Sequence, residues 1–228
     1  MATFGGFPPE TIRFLRELRA NNTKDWFDAH RADYEAYWVA PAKAFVVAAG
    51  EQLAELAPGI RAEPRVLGSI LRINRDTRFS RDQRPYKDHL DFWFWEGERR
   101  DAVSGFFARL TPEALGVGAG CHGLDPERLT RFRQAVANPA SGAELAGIAQ
   151  RLEAAGYQLR GAMLRRPPAG FADGGPAGRF LLHKALFVHH DEPVDDRVHT
   201  TAILATCARH WQAMGPLHRW LTDHVQVA

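Results

Sequence analysis

Cysteine, long apolar runs and net charge are all scarce in this chain, and each scarcity excludes a class of protein. Cys121 and Cys207 are the only cysteines among 228 residues, too few for the disulfide framework of a small secreted domain. No stretch approaches the ~20 apolar residues of a membrane span, and the N-terminus has no basic region followed by an apolar run, as a signal peptide would. The sequence therefore predicts a cytoplasmic protein with no membrane partner and two core thiols.

The formal net charge is only +2, from 29 Lys and Arg against 27 Asp and Glu. Such a balance disfavours tight, sequence-independent binding to nucleic acid, which needs an excess of cations. Apolar residues make up 45% of the chain and charged residues 25%, which are ordinary values for a globular protein. Because no linker is long enough to separate two cores, we predict a single domain over residues 1–228. The oligomeric state stays open.

Apolar periodicity predicts helices first, then a run of strands, then mostly helices. A period near 3.6 runs from residue 11 to about residue 58, with Phe27, Tyr34 and Trp38 on one face that we expect to be core. The period then changes to two. The chain closes with two helices, the second starting at Pro216. Strands are predicted at residues 69–74, 90–95, 105–110, 115–121 and 185–189.

This order of elements predicts an α+β fold, with a mainly antiparallel sheet of about five strands packed by N-terminal and C-terminal helices. One strand is unusual, because Gly116, Gly118 and Gly120 leave one of its faces bare. Two interpretations fit: a helix or a second backbone packs closely there, or a ligand lies against the sheet. The spacing is that of a strand and does not match a dinucleotide-binding fingerprint.

The densest charge lies in residues 72–87, which we call the basic segment. Six cations stand there against two carboxylates, Asp76 and Asp82, and a basic residue occupies every third position. Guanidinium groups give paired, charge-assisted hydrogen bonds to phosphate and carboxylate. A second basic patch lies near Arg166 and Lys184. The sequence predicts an anionic small molecule as the partner, bound by Arg75, Arg78, Lys87, Arg166 and Lys184 converging on one cleft.

Two other interpretations of the basic segment stay open. In the first, the aspartates pair with the arginines, so that the segment is a structural clamp in a non-enzymatic interaction module. The partner surface of such a module would be the aromatic strand that carries Trp93 and Trp95. In the second, the two basic patches and exposed aromatic side chains bind nucleic acid, which the near-neutral charge disfavours.

The sequence leaves open whether the protein is an enzyme. Acid–base groups close to the arginines are the catalytic candidates: Asp76, Asp82, Tyr86 and His89. We expect no cofactor and no metal. The run 189–192 contains two histidines and two acidic residues, but it lacks a second set of ligands, and adjacent residues of a strand point apart.

Several motifs together resemble a known family. The strongest is Arg75-Asp76-x-Arg78-Phe79-Ser80-x-Asp82-x-x-Pro85-Tyr86-Lys87. On these residues the chain resembles a widespread bacterial and fungal family of conserved hypothetical proteins, classed as a domain of unknown function, over nearly its whole length. It departs from the family's pattern at Gln83, Arg84 and Asp88, so the shared cations are Arg75, Arg78 and Lys87. The resemblance implies no activity, cofactor or catalytic residue.

Overall fold

The structure is a computed structural model that describes residues 3–99, 102–171 and 175–226. These residues form seven α-helices and one antiparallel sheet of six strands, in the order β1-β2-β3-β4-β6-β5. The predicted α+β class is confirmed, and the sheet has six strands where about five were predicted. None of the described helices has the length and the apolar character that crossing a membrane requires.

The first part of the chain is helical. Thr23 caps α2, since its hydroxyl accepts the Trp26 N–H at 3.3 Å. The helix predicted after this cap is divided by a π-helical turn, and the chain then continues without a break into α4. The elements are α1 (Pro9–Ala20), α2 (Lys24–Ala29), α3 (Arg31–Asp33), the π-helical turn (Tyr34–Val39) and α4 (Ala40–Ala54).

Strands and helices alternate in blocks through the rest of the chain. The strands are β1 (Ile60–Arg61), β2 (Leu90–Glu96), β3 (Gly105–Leu110), β4 (Ala114–Cys121), β5 (Gln158–Ala162) and β6 (His183–Pro193). The helices are α5 (Pro126–Ala137), α6 (Pro139–Ala154) and α7 (Ala202–Val225), with 3₁₀ turns at Gly175–Leu182 and Asp196–His199.

Two predicted elements are wrong. Residues 69–74 do not form a continuous strand, because only isolated bridges occur there, at Ile70 and Asn74. The C-terminal helix does not restart at Pro216, because α7 runs through that residue. A proline inside a helix removes one hydrogen bond, and the buried side chains of Leu217 and Trp220 hold the following turn in place.

By their contacts the described residues fall into two compact units. The first comprises the described parts of Met1–Phe94, Phe107–Gly116 and Asp191–Arg209, and the second those of Trp95–Phe106, Val117–His190 and His210–Ala228. The single domain over residues 1–228 stays a prediction.

An aromatic cluster forms the core of the first unit. The Phe45 ring lies 4.6 Å from Phe92 between centroids, and the predicted core face of Phe27, Tyr34 and Trp38 is confirmed, since each is at most 7% exposed. The core of the second unit is built on its helices. Its tryptophan anchor, Trp220, donates from Nε1 to the Ser141 carbonyl at 2.9 Å, so its one polar atom is paired.

Both cysteines are buried thiols, as predicted. Burial raises the pKa of the Cys121 thiol and, more strongly, that of the Cys207 thiol. A thiol with a raised pKa carries little thiolate at neutral pH and is a poor nucleophile.

Candidate functional site

The basic segment is a hairpin-like excursion of the first unit. Two short arms, residues 73–75 and 85–87, run antiparallel and are joined by backbone hydrogen bonds of 2.8 and 2.9 Å and by one isolated β-bridge. We call these arms the stem, and residues 76–84, which close it, the tip. Side chains alternate along extended arms, so cations three residues apart do not share one face, as they would in a polyproline helix.

Asn22, in the connection between α1 and α2, anchors the stem through its side-chain amide. Its Nδ2 donates to the Tyr86 carbonyl and its Oδ1 accepts from the Tyr86 N–H, both at 3.0 Å. The amide therefore makes the two backbone hydrogen bonds that a neighbouring strand would otherwise make. The Tyr86 ring is buried and stacks on Phe27, with centroids 4.2 Å apart. Tyr86, one of the predicted catalytic candidates, thus fixes the stem to α2.

Replacing Asn22 by alanine removes both hydrogen bonds and leaves the Tyr86 N–H and carbonyl unpaired. We expect Asn22→Ala to lower the free energy of unfolding by about 2 kcal/mol, measured by urea denaturation. Asn21→Ala is the matched control, because the neighbouring Asn21 amide is exposed and bonds only to the Glu17 carbonyl of its own helix. The control should lose less than half as much. Equal losses from the two variants would contradict the anchoring role.

Both carboxylates of the tip are engaged within the basic segment. Asp76 accepts from Arg78 Nε at 2.9 Å and Nη2 at 2.6 Å, and from the Arg78 N–H at 3.3 Å. Asp82 Oδ2 accepts from Arg84 Nη2 at 2.7 Å and Arg75 Nη1 at 2.5 Å, and its Oδ1 accepts the Arg84 N–H at 3.1 Å. Each aspartate therefore closes a turn with the N–H two residues further on and pairs with that same arginine.

These arginines hold the pKa of both carboxyls below its usual range. The main cause for Asp76 is the side-chain hydrogen bond from Arg78, and for Asp82 the hydrogen bond from Arg84, followed by that from Arg75. A general base at neutral pH works best with a pKa near the working pH. The two aspartates are therefore better suited to holding the shape of the tip than to proton transfer.

The aspartates do not neutralise the basic segment, whose six cations and two carboxylates leave a net charge of +4. Arg72 and Arg81 are exposed, and neither has an ion-pair partner among the residues that the structure describes. Arg78 and Arg84 keep 76% and 48% of their side-chain surface open despite their pairs. The tip is thus a surface of exposed guanidinium groups around two fixed carboxylates.

Phe79 stands in the middle of the tip with its side chain in solvent, 96% exposed. The Arg78 guanidinium lies over its ring, 5.9 Å from the centroid. Internal hydrogen bonds fix the backbone around it: the Ser80 N–H donates to the Thr77 carbonyl at 3.1 Å, and Gln83 Nε2 donates to the Thr77 and Ser80 carbonyls. The tip therefore presents the ring from an ordered loop.

A second group of charges surrounds Asp91 near the start of β2. Its side chain is 9% exposed and accepts from Arg109 Nε, on β3, at 2.6 Å, from Lys87 Nζ at 2.9 Å and from His89 Nε2 at 3.2 Å. The other ring nitrogen of His89 faces Asp88 at 3.2 Å. Because both nitrogens of this catalytic candidate lie against carboxylates, the histidine is part of an ion-pair cluster.

Arg19 extends this cluster across the first unit. Its Nε donates to Asp88 at 2.7 Å, and its Nη1 and Nη2 donate to Glu113 at 2.7 and 3.0 Å. The side chains from Glu113 through Arg19, Asp88 and His89 to Asp91 thus form a continuous series of alternating acidic and basic groups, which ties α1 to the β-strands. One sequence feature indicates such a cluster, namely the carboxylate of Asp91 inside an aromatic strand, which needs a partner when it is buried.

The five predicted ligand-binding cations are divided between the two units. Arg75, Arg78 and Lys87 lie in the first unit, and each holds a carboxylate. Arg166 and Lys184 lie in the second unit and are exposed, with no ion-pair partner among the described residues. Their convergence on one cleft stays a prediction.

Two histidine side chains of the second unit lie close together. The His190 and His210 rings stack with centroids 4.6 Å apart, and one ring nitrogen of each lies within 4.8 Å of the other. The Tyr157 hydroxyl lies 2.9 Å from His210 Nδ1. His210 lies on α7, outside the run 189–192, and brings a further nitrogen ligand close to His190. The expected absence of a metal stays a prediction.

The aromatic strand provides less exposed surface than the interaction-module interpretation needs. Trp95 is buried, at 2% exposure, and only Trp93 is half-buried. The large apolar side chains that are exposed among the described residues are Leu67, Phe79 and Met163.

Comparison with known proteins gives one match. The sequence profile of a family described as conserved hypothetical protein (DUF2461) matches residues 10–220, which is most of the chain and includes the whole basic segment. No curated protein and no solved structure matches. The match agrees with the resemblance that the motifs carry, and the chain belongs to the conserved hypothetical protein family DUF2461.

Proposed function

We propose that the protein binds an anionic ligand, one that carries phosphate or carboxylate groups, through the exposed arginines of the basic segment. The observation that supports this most is the excess of exposed cations. Arg72 and Arg81 are exposed without an ion-pair partner among the described residues, in a segment of net charge +4. A bound oxyanion would accept paired, charge-assisted hydrogen bonds from these guanidinium groups.

The ion pairs inside the tip do not oppose this function. An exposed ion pair contributes little to stability, because water screens it. Arg78 and Arg84 can therefore turn one edge of the guanidinium to a ligand at small cost, while Asp76 and Asp82 keep their bonds to backbone N–H groups. The clamp and the binding site are then two parts of one segment: the stem and the aspartates hold the shape, and the arginines meet the ligand.

Removing one unpaired guanidinium tests the proposal. We expect pyrophosphate and citrate to raise the melting temperature of the protein, and Arg81→Ala to weaken their binding about fivefold, which corresponds to about 1 kcal/mol. Isothermal titration calorimetry at ~50 mM salt, where screening is weak, measures the affinity. Arg16→Ala is the control, because Arg16 is an exposed cation of the same unit on α1. Binding that Arg81→Ala and Arg16→Ala weaken equally, or no binding at all, would refute the proposal.

A further inference from the structure

The tip carries an exposed aromatic ring that binding of a free anion does not use. Phe79 is 96% exposed, and its loop is ordered by its own hydrogen bonds. The ring therefore does not line a cleft, and a site for a small molecule would be concave and would bury most of its ligand. An exposed apolar ring in a loop that also carries exposed arginines instead suits a broad surface that is apolar a few ångströms below a layer of anions.

We infer that this surface is a bilayer of anionic lipids, with the arginines of the tip on the phosphate groups and Phe79 inserted among the acyl chains next to the headgroups. The inference rests on the proposed function, because the headgroups are the anionic ligand. Clusters of four or more Lys and Arg side chains are attracted to anionic leaflets, and the basic segment has four exposed arginines, Arg72, Arg78, Arg81 and Arg84, of which the last three lie in the tip. The Phe79 ring, once inserted at the interface, would bury apolar surface and so add to this attraction.

A bilayer fits the tip better than a nucleic acid does. Sequence-independent binding of a single strand needs a basic groove with several aromatic side chains, on which successive bases stack. The tip offers one ring, that of Phe79, which cannot stack successive bases. A single ring at the end of a loop can still enter a bilayer edge-on, where no groove is needed.

The expected absence of a membrane partner rests on the lack of an apolar span and of a signal peptide, and neither bears on binding to a membrane surface. Among the described helices none can cross a membrane, and lying on a membrane surface requires no such helix. The ordered backbone of the tip also lowers the entropic cost of binding, since the loop does not have to fold at the surface.

Vesicle flotation tests the inference. Vesicles of phosphatidylcholine with ~30% phosphatidylserine should float the protein, and pure phosphatidylcholine vesicles should not. Raising salt from ~50 to ~300 mM should weaken flotation. We expect Phe79→Ala to reduce the affinity for the anionic vesicles about tenfold, and Phe79→Trp to retain it. Leu67→Ala is the matched control, because Leu67 is another exposed apolar side chain of the first unit, at 63% exposure, and should bind as the unchanged protein does.

The outcomes separate this inference from the proposed function. Pyrophosphate binding should be the same in Phe79→Ala as in the unchanged protein, since no phosphate contact is removed. Pyrophosphate binding without vesicle binding would overturn the lipid surface and leave the anion site standing. Vesicle binding that Phe79→Ala does not alter would overturn the insertion of Phe79. A single-stranded oligonucleotide that binds more tightly than the vesicles, and loses affinity in Phe79→Ala, would overturn the bilayer in favour of nucleic acid.

Discussion

Asp91→Asn should destabilise the protein by about 3 kcal/mol and lower its melting temperature by roughly 6–12 °C. The asparagine has nearly the same shape but no charge. It leaves Lys87, His89 and Arg109 gathered around a neutral group, and the lysine and histidine side chains are only 21% and 19% exposed. Removing one partner of a buried ionic cluster costs more than the cluster contributes, because the remaining charges stay out of water without compensation.

The destabilisation caused by Asp91→Asn should depend on pH, because the groups around Asp91 shift its pKa. Burial by itself would raise the pKa of Asp91, but the hydrogen bonds from His89 and Arg109, together with their charges, outweigh it and hold the pKa well below its usual range. A carboxyl whose pKa is lower in the folded state stabilises the fold above its unfolded pKa of about 3.9. That stabilisation is lost as the pH falls through the folded pKa. The difference in stability between Asp91→Asn and the unchanged protein should therefore be full at pH 7 and shrink below about pH 4.

Asp76→Asn is the control for this prediction. Its partner Arg78 is 76% exposed, and the asparagine oxygen can still accept the Arg78 N–H, so we expect no measurable change in the urea midpoint. Thermal and urea unfolding of both variants at pH 7 and pH 3 measures the comparison. Equal midpoints for Asp91→Asn and the unchanged protein at pH 7 would mean that the cluster around Asp91 does not stabilise the fold.

The sequence predicted that Asp76 and Asp82 could pair with arginines, and it left open which arginines they would meet. Charge density alone drew attention to residues 72–87, because charge is a property of composition. Which arginine meets which aspartate depends on turns: the pairs of Asp76 with Arg78 and of Asp82 with Arg84 join residues only two apart. Asn22 and Arg109 were not predicted to contact the site. Each reaches the site from a distant part of the chain, and only the fold brings them there.

The sequence predicted an element correctly where the period of its apolar residues and the length of the segment indicated the same type of secondary structure. The aromatic strand was found nearly to the residue, as β2, since apolar and aromatic residues fill it. β5 was missed because its pattern alternates between exposed and half-buried and includes Gly161 at φ +117°, which carries no apolar signal. The helix start predicted at Pro216 was wrong, because the packing of α7 outweighs a local preference to end the helix there.

The second large effect concerns the alternating glycines of β4. Gly120→Ala should lower the free energy of unfolding by about 3 kcal/mol or more. The residue has φ +125°, a backbone conformation that is strained for any residue with a Cβ. A Cβ there would lie 2.4 Å from the Leu186 carbonyl oxygen and 2.6 Å from the Phe187 Cα. Both are backbone atoms of β6, the neighbouring strand, so a small side-chain rotation cannot relieve the contact.

Gly123→Ala separates this clash from the general effect of replacing a glycine. No atom lies within 4 Å of a Cβ built at Gly123, so this control should be neutral or slightly stabilising, because alanine lowers the entropy of the unfolded chain. Urea denaturation of both variants gives the comparison. The sequence left two interpretations of the bare strand face open, close packing of a second backbone or a ligand against the sheet. A large loss in Gly120→Ala alone supports backbone packing at this glycine, whereas similar stabilities for the two variants would favour an open face and return the ligand to consideration.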